Sequence, residues 1–141
     1  MRKLFMMMAF CTGLTACNSD KTQQVETTTQ EDGVEVLYFH GKQRCATCVA
    51  IERETKAIIE EQFADEVKNG LLEFRIIDIS QAENEAIADK YEITWSSLVV
   101  AKHENGAEQA ENLTKFAFAN ARNHPETFRN ELTKKINELL K

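Results

Sequence analysis

The stretch HGKQRCATCVAIE, residues 40–52, holds two cysteines three positions apart in a 141-residue chain that has only four. Residues 34–39 (VEVLYF) are rich in β-branched and aromatic side chains and predict a strand. Beyond the stretch, apolar residues recur at helical spacing, namely Cys48, Ile51, Thr55, Ile58, Phe63 and Val67. Cys45 is therefore predicted to lie where a loop after a strand enters a helix.

This position predicts unequal chemistry for the two thiols. Backbone N–H groups at a helix start have no intrahelical partner, and together with the helix dipole they favour thiolate over thiol. Arg44, Lys42 and His40 precede Cys45 and act in the same direction. Cys48, one turn later, shares the face of the apolar residues. We expect Cys45 to be an exposed nucleophile and Cys48 a buried resolving thiol.

The rest of the chain predicts one α/β domain. The predicted elements are a helix ending at Asn69-Gly70, a strand over 71–79, a short helix opened by a capping box at Ser80–Glu83 and ending near Tyr91, a strand over 97–102, an Asn105-Gly106 turn, a polar edge strand, and a helix from Pro125 to the end. The order is β-α-β-α-β-β-α. It predicts a mixed four-stranded sheet with helices on both faces, the first three strands parallel and the last antiparallel. Phe116, Phe118 and Phe128 are expected in the core.

A strand ending in Tyr38-Phe39, a short loop, a CxxC at a helix start and a β-β-α end resemble the thioredoxin superfamily over residues 33–141. More narrowly, YFHGKQRCATC (38–48) and TWSSLVV (94–100) resemble a group of small thioredoxin-like envelope lipoproteins labelled ArsF, a label linked to arsenic and nitroreductase gene contexts. The resemblance implies a thiol–disulfide oxidoreductase that needs no cofactor and exchanges with a protein disulfide or dithiol. Cys45 would attack and Cys48 would resolve.

Three departures from the thioredoxin pattern affect the site. Arg-Cys-Ala-Thr-Cys replaces the usual Trp-Cys-Gly-Pro-Cys, and the position of the family's buried acid falls near Tyr38. Where the family has a cis-proline, this chain has Ser96 and Ser97, and we expect trans peptide bonds there because a non-proline cis bond costs about 3–4 kcal/mol. Trp95 is interpreted either as the rim of a substrate groove or as a core aromatic.

Other interpretations of the pair stay open. Cys45 and Cys48 are alternatively a structural disulfide, although a disulfide that closes so small a loop stabilises a fold only weakly. They are also interpreted as two ligands for a soft ion such as Cu(I) or arsenite. A third hypothesis is a docking subunit of an envelope redox complex. A closed zinc site needs four ligands, and we expect His103 and His124 on the surface and His40 satisfied in its turn. The acidic stretch 52–66 is expected to be a solvated helix face.

The N-terminus predicts export and lipidation. Residues 1–16 have a basic start, a short apolar run and small residues before Cys17, as in a bacterial lipoprotein signal peptide. Residues 17–32 then predict a lipidated cysteine, such as one carrying palmitate, and a disordered tether, followed by the domain at 33–141. We expect a monomer in the bacterial cell envelope, held on a membrane by its lipid. A net charge of −6 argues against nucleic acid as a partner.

Overall fold

The computed structural model describes residues 32–141, so the predicted signal peptide, the lipidation site Cys17 and residues 18–31 of the tether lie outside the described residues. The elements are β1 (Gly33–His40), α1 (Ala46–Gln62), α2 (Ala64–Lys68), β2 (Leu72–Asp78), a 3₁₀ turn (Ala82–Asn84), α3 (Glu85–Lys90), β3 (Ser97–Glu104), β4 (Ala107–Asn112), α4 (Thr114–Asn120) and α5 (Pro125–Leu139). None of the helices in this part of the chain combines the length and the apolar character that a transmembrane span requires.

The four strands form one mixed sheet in the order β2-β1-β3-β4, which confirms the predicted α/β class. β1 is parallel to β2, and both the β1–β3 and β3–β4 pairs are antiparallel. The prediction that β3 is parallel to β1 was therefore wrong. β2 ends with Asp78 opposite His40, and β3 begins with Ser97 opposite Phe39, at the same end of the sheet. The six-residue α3 between them is only about 9 Å long, so the chain does not travel back along the sheet before it re-enters.

β1 is buried on both faces, and its alternate residues feed two cores. Val34, Val36 and Tyr38 pack against α1, α4 and α5, whereas Leu37 and Phe39 pack on the other face with residues of and around α3. Helices therefore cover both faces, as predicted. This double burial explains why residues 34–39 show little of the polar–apolar alternation of a half-exposed strand.

The helix after the CxxC is interrupted, contrary to the prediction of a single run to Asn69-Gly70. Phe63, with φ −129° and ψ 22°, lies between α1 and α2. Its side chain is buried as expected, but the break turns the following residues outward and Val67 is 42% exposed. Gly70 closes the connection in the left-handed region with φ +74°.

The turn before α3 also differs from the prediction. Ser80 does not cap a helix, because its hydroxyl and its backbone N–H donate to the Asp78 carboxylate at 2.7 and 2.9 Å. The turn therefore forms around an aspartate at the end of β2 rather than around a serine cap.

The C-terminal half follows the predicted order with one added helix. Asn105 and Gly106 adopt positive φ angles of 54° and 77° and join β3 to a fully exposed β4 in a two-residue hairpin. α5 begins at Pro125 as predicted. The seven-residue α4 was not predicted; it carries Phe116 and Phe118, which pack half-buried against the core rather than inside it.

Candidate redox site

Cys45 and Cys48 lie at the start of α1 and form a disulfide. Cys45 is the N-cap residue, and its Sγ accepts a hydrogen bond from the Cys48 backbone N–H at 3.1 Å. Cys45 is exposed, whereas Cys48 is 5% exposed and belongs to the buried face of the helix. The first turn of α1 carries no acidic side chain, so no carboxylate within that turn opposes the effect of its N–H groups and dipole on the sulfur.

Tyr38 connects the central strand to the cysteine pair. Its fully buried side chain donates a hydrogen bond from the hydroxyl to the Cys48 carbonyl oxygen at 2.7 Å. Burial raises the pKa of this phenol, while neighbouring Arg44 and Ser96 act in the opposite direction. The phenol therefore stays a neutral donor near neutral pH. The sequence placed Tyr38 at the end of the first strand and at the position of the family's buried acid, but did not predict this contact. Its period-2 position on the α1 side of β1 was the signal for it.

Arg44 was predicted to tune the thiolate, and the structure places its guanidinium in an ion pair with Glu52. The same group lies 5.7 Å from the centroid of the Tyr38 ring. Partial burial alone would lower the pKa of Arg44, but Glu52 and Tyr38 outweigh it and raise that pKa. Glu52 was missed from the sequence, where it was assigned to a solvated helix face.

That solvated-face prediction also fails at Glu54. Its side chain is only 10% exposed, and its carboxylate is shared between Arg53 on α1 and Arg129 on α5. Residues such as Glu60 and Glu61, further along α1, are exposed as expected. The acidic stretch is therefore solvated only in part, because α5 packs along one side of α1.

His40, the last residue of β1, is half-buried and its Nδ1 donates to the Gly41 carbonyl oxygen at 3.0 Å. Its ring centroid lies 6.1 Å from that of Tyr38. The contact with Gly41 engages one ring nitrogen in the loop that leads to Cys45. His40 is therefore a hydrogen-bonded turn histidine, the interpretation that the sequence favoured.

Trp95, Ser96 and Ser97 lie at the same end of the sheet as the CxxC, because Ser97 pairs with Phe39. Trp95 is 56% exposed and packs against Phe118 with ring centroids 5.3 Å apart, which excludes the core interpretation of this tryptophan. The Ser97 hydroxyl donates to the Trp95 carbonyl oxygen at 3.0 Å. No cis peptide bond occurs in residues 32–141, so the expected trans bonds at these serines are confirmed.

Comparisons with known proteins concern the fold. No family model and no curated protein matches the sequence. Solved structures do match. A Fasciola hepatica thioredoxin shares 22% identity, with 76% of this chain and 84% of that one covered and a TM-score of 0.46. Trxlp from Edwardsiella tarda shares 16%, with coverage of 74% and 86% and a score of 0.48. A thioredoxin-like protein from Clostridium perfringens shares 12%, with coverage of 87% and 91% and a score of 0.48. The strand order and the CxxC at the start of α1 decide the assignment. The fold is thioredoxin-like.

Away from its cysteines, the thioredoxin-like domain contains a polar cluster that the sequence did not predict, buried at Glu35 and His103 and open to solvent at Glu108. His103, expected on the surface, is 6% exposed, and its Nε2 lies 2.9 Å from the Glu35 carboxylate. Arg75 donates to the same carboxylate at 3.3 Å, and Glu108 lies 3.6 Å from the other ring nitrogen. The cluster takes one member from each of the four strands, so its contacts link side chains across the whole sheet.

The other candidate ligands do not gather around the cysteines. His124 is exposed at the start of α5, as predicted. Within residues 32–141, no group of three or more His, Cys, Asp or Glu side chains is placed to hold a metal ion. The CxxC thus presents two sulfurs, one open to solvent and one buried.

Proposed function

We propose that this protein is a thiol–disulfide oxidoreductase tethered to a membrane in the bacterial cell envelope. The observation that carries the proposal is the asymmetry of the pair, with an exposed Cys45 at the N-cap of α1 and a buried Cys48 one turn behind it. Helix N-termini lower thiol pKa values, and an accessible thiolate with a nearby second cysteine is the arrangement that disulfide exchange requires. A disulfide kept only for stability gains little from a loop this short.

The exchange proceeds in two steps with the pair initially reduced. The Cys45 thiolate attacks one sulfur of a partner disulfide, a mixed disulfide forms, and the partner's other sulfur leaves as a thiolate that takes a proton. Cys48, deprotonated, then attacks Cys45 Sγ, which releases the partner's second sulfur as a thiol and closes the Cys45–Cys48 disulfide. Two electrons pass from the pair to the partner, and an envelope dithiol restores the reduced pair by the reverse chemistry.

The cellular setting of the proposal comes from the N-terminus and from the narrower resemblance. The lipoprotein pattern at residues 1–17 and the similarity of 38–48 and 94–100 to the ArsF-labelled envelope group favour a lipid on Cys17 and a polar tether before the domain. The partner is then a protein disulfide or dithiol in the envelope. The protein acts as a monomer and needs no cofactor.

Reduction of insulin by the domain, with a dithiol donor, tests the exchange. The wild type is expected to exceed the Cys45→Ser/Cys48→Ser double variant, and Cys48→Ser alone is expected to accumulate mixed disulfides that Cys45→Ser does not form. A wild type no faster than the double variant contradicts the proposal. One equivalent of Cu(I) or arsenite per chain, lost in the double variant, would instead favour the metal-binding hypothesis.

The tether requires a separate test in a bacterial host. The full chain is expected to take up labelled palmitate and to sediment with membranes, and Cys17→Ala is expected to do neither. A Cys11→Ala variant is the matched control, since Cys11 lies inside the predicted signal peptide. Equal labelling of Cys17→Ala and wild type contradicts the lipid anchor.

A further inference from the structure

The ion pair beside the disulfide runs along the first two turns of α1. Arg44 directly precedes Cys45, and its carboxylate partner Glu52 lies seven residues after Cys45 on the helix. The pair lies at the surface with its side chains partly covered, at 28% and 25% exposure. Charges that are partly withdrawn from water interact more strongly and are screened less by salt than exposed pairs.

The Tyr38 ring fixes where the guanidinium lies. A guanidinium 5.7 Å from the ring centroid is within the range of a cation–π contact, and the ring itself is held by the hydroxyl's bond to the Cys48 carbonyl. Arg44 therefore has a defined place next to the cysteine pair, between an aromatic surface and a carboxylate.

Reduction changes the charge at this place. The disulfide is neutral, whereas the reduced pair reacts, in the proposed function, through a thiolate at Cys45. Arg44 is the neighbour of Cys45 in the chain, so its positive charge then acts on the new thiolate as well as on the Glu52 carboxylate. The carboxylate offsets part of the positive charge that would otherwise stabilise the thiolate, and so it disfavours the reduced form. Arg44 has the opposite effect.

We propose that Glu52 sets the reduction potential of the Cys45–Cys48 pair by competing with the Cys45 thiolate for the Arg44 guanidinium. Glu52 and Arg44 are positioning residues in this role, since both act on the sulfur through charge rather than by reacting. The inference rests on the proposed function, because it concerns the reduction potential of the same pair, which Glu52 makes more negative. The wild-type pair is a weaker oxidant than the helix N-terminus and Arg44 alone would make it.

The equilibrium constant of the pair with glutathione at pH 7, measured by quantifying free thiols on the domain, tests the inference. Glu52→Gln is expected to shift the constant about fivefold toward the dithiol, equivalent to about 20 mV for a two-electron couple. Arg44→Gln is expected to shift it about fivefold toward the disulfide. In the Arg44→Gln background, Glu52→Gln should change the constant less than twofold.

Two further variants separate the charge effect from a structural one. Glu60→Gln removes an exposed carboxylate further along α1, paired with Lys56, and is expected to leave the constant within twofold. Arg44→Lys keeps the charge and is expected to retain most of the wild-type constant. Circular dichroism of the oxidised proteins verifies that each variant is folded.

A Glu52→Gln constant within twofold of wild type overturns the inference, and so does an equally large effect in the Arg44→Gln background, since Glu52 would then act without Arg44. These outcomes differ from failure of the proposed function. A wild type that equilibrates with glutathione but reduces no protein disulfide contradicts the function while the Glu52 effect remains measurable.

Discussion

Removal of the Tyr38 hydroxyl is expected to lower the free energy of unfolding of the domain, because it breaks a buried hydrogen bond and leaves the acceptor in place. Tyr38→Phe deletes the hydroxyl that donates to the Cys48 carbonyl at 2.7 Å and leaves the fully buried ring in place. A typical intramolecular hydrogen bond contributes about 1 kcal/mol, and a buried acceptor left without a partner costs about 1–3 kcal/mol. The Cys48 carbonyl lies in the first turn of α1, where the i+4 helical bond still satisfies it in part. We therefore expect a loss of about 1–2 kcal/mol, at the lower end of that range.

Thermal and urea unfolding of the oxidised domain measure this loss. For a domain of this size, it corresponds to a fall in Tm of about 5–10 °C. Tyr91→Phe is the matched control, because it removes a hydroxyl that lies 3.1 Å from Glu108 on an exposed part of the surface. The control is expected to change stability by less than about 0.5 kcal/mol.

The redox state provides a second comparison for the same variant. The acceptor is a backbone carbonyl rather than a sulfur, so Tyr38→Phe should lose a similar amount of stability in the oxidised and the dithiol form. Glu52→Gln, in contrast, is expected to act on the reduced form. If Tyr38→Phe is no less stable than Tyr91→Phe in either redox state, the argument that this bond anchors α1 to β1 is wrong.

Three other substitutions, two of them paired with a control at an exposed residue, test the surrounding structure. Glu35→Ala is expected to cost about 3 kcal/mol in urea unfolding, because it leaves a buried histidine and an arginine without their shared carboxylate, whereas the exposed Glu60→Ala should change little. Hydrogen bonds from the turn that follows Asp78 lower the pKa of its carboxyl group, so this group stabilises the fold above its unfolded pKa and ceases to do so as pH falls through its folded pKa. Asp78→Asn should therefore show a smaller fall in urea midpoint between pH 7 and pH 2.5 than the wild type, and an equal fall would refute this. Phe128→Ala should cost about 3–5 kcal/mol and the exposed Trp95→Ala less than about 1 kcal/mol, and similar losses for the two would contradict the assigned burial.

Local patterns predicted the elements that have strong local signals. Asn105-Gly106 and Pro125 mark their turn and helix start through backbone preferences that act within a few residues, and both are found where predicted. The break at Phe63 has no such signal, because phenylalanine has no unusual backbone preference and the helical spacing continues past it to Val67. The break reflects packing of Phe63 into the core, which involves residues distant in sequence.

The polar contacts of the site were the least predictable part. The acidic residues of α1 look alike in sequence, yet Glu52 pairs beside the disulfide, Glu54 is buried against α5 and Glu60 is solvated. Their different environments depend on which neighbouring element covers each turn of the helix. The same holds for His103, whose buried partner Glu35 lies 68 residues away in the chain. Tertiary contacts of this kind produce no periodic pattern in the sequence from which they could be predicted.

Two predictions made from the sequence exclude each other: that β3 is parallel to β1, and that Trp95 and Ser96 lie near the cysteine pair. Had β3 run parallel to β1, the residues before it would lie where β1 begins, about 23 Å along the strand from the loop that carries Cys45. Trp95 and Ser96 could not then have been neighbours of the cysteine pair. Because β3 is antiparallel, with Ser97 opposite Phe39, both residues lie at the end of β1 that leads into that loop, and Ser96 is close enough to act on the pKa of Tyr38. The short α3, which does not return the chain along the sheet, is therefore what brings the segment before β3 to the end of the sheet that carries the CxxC.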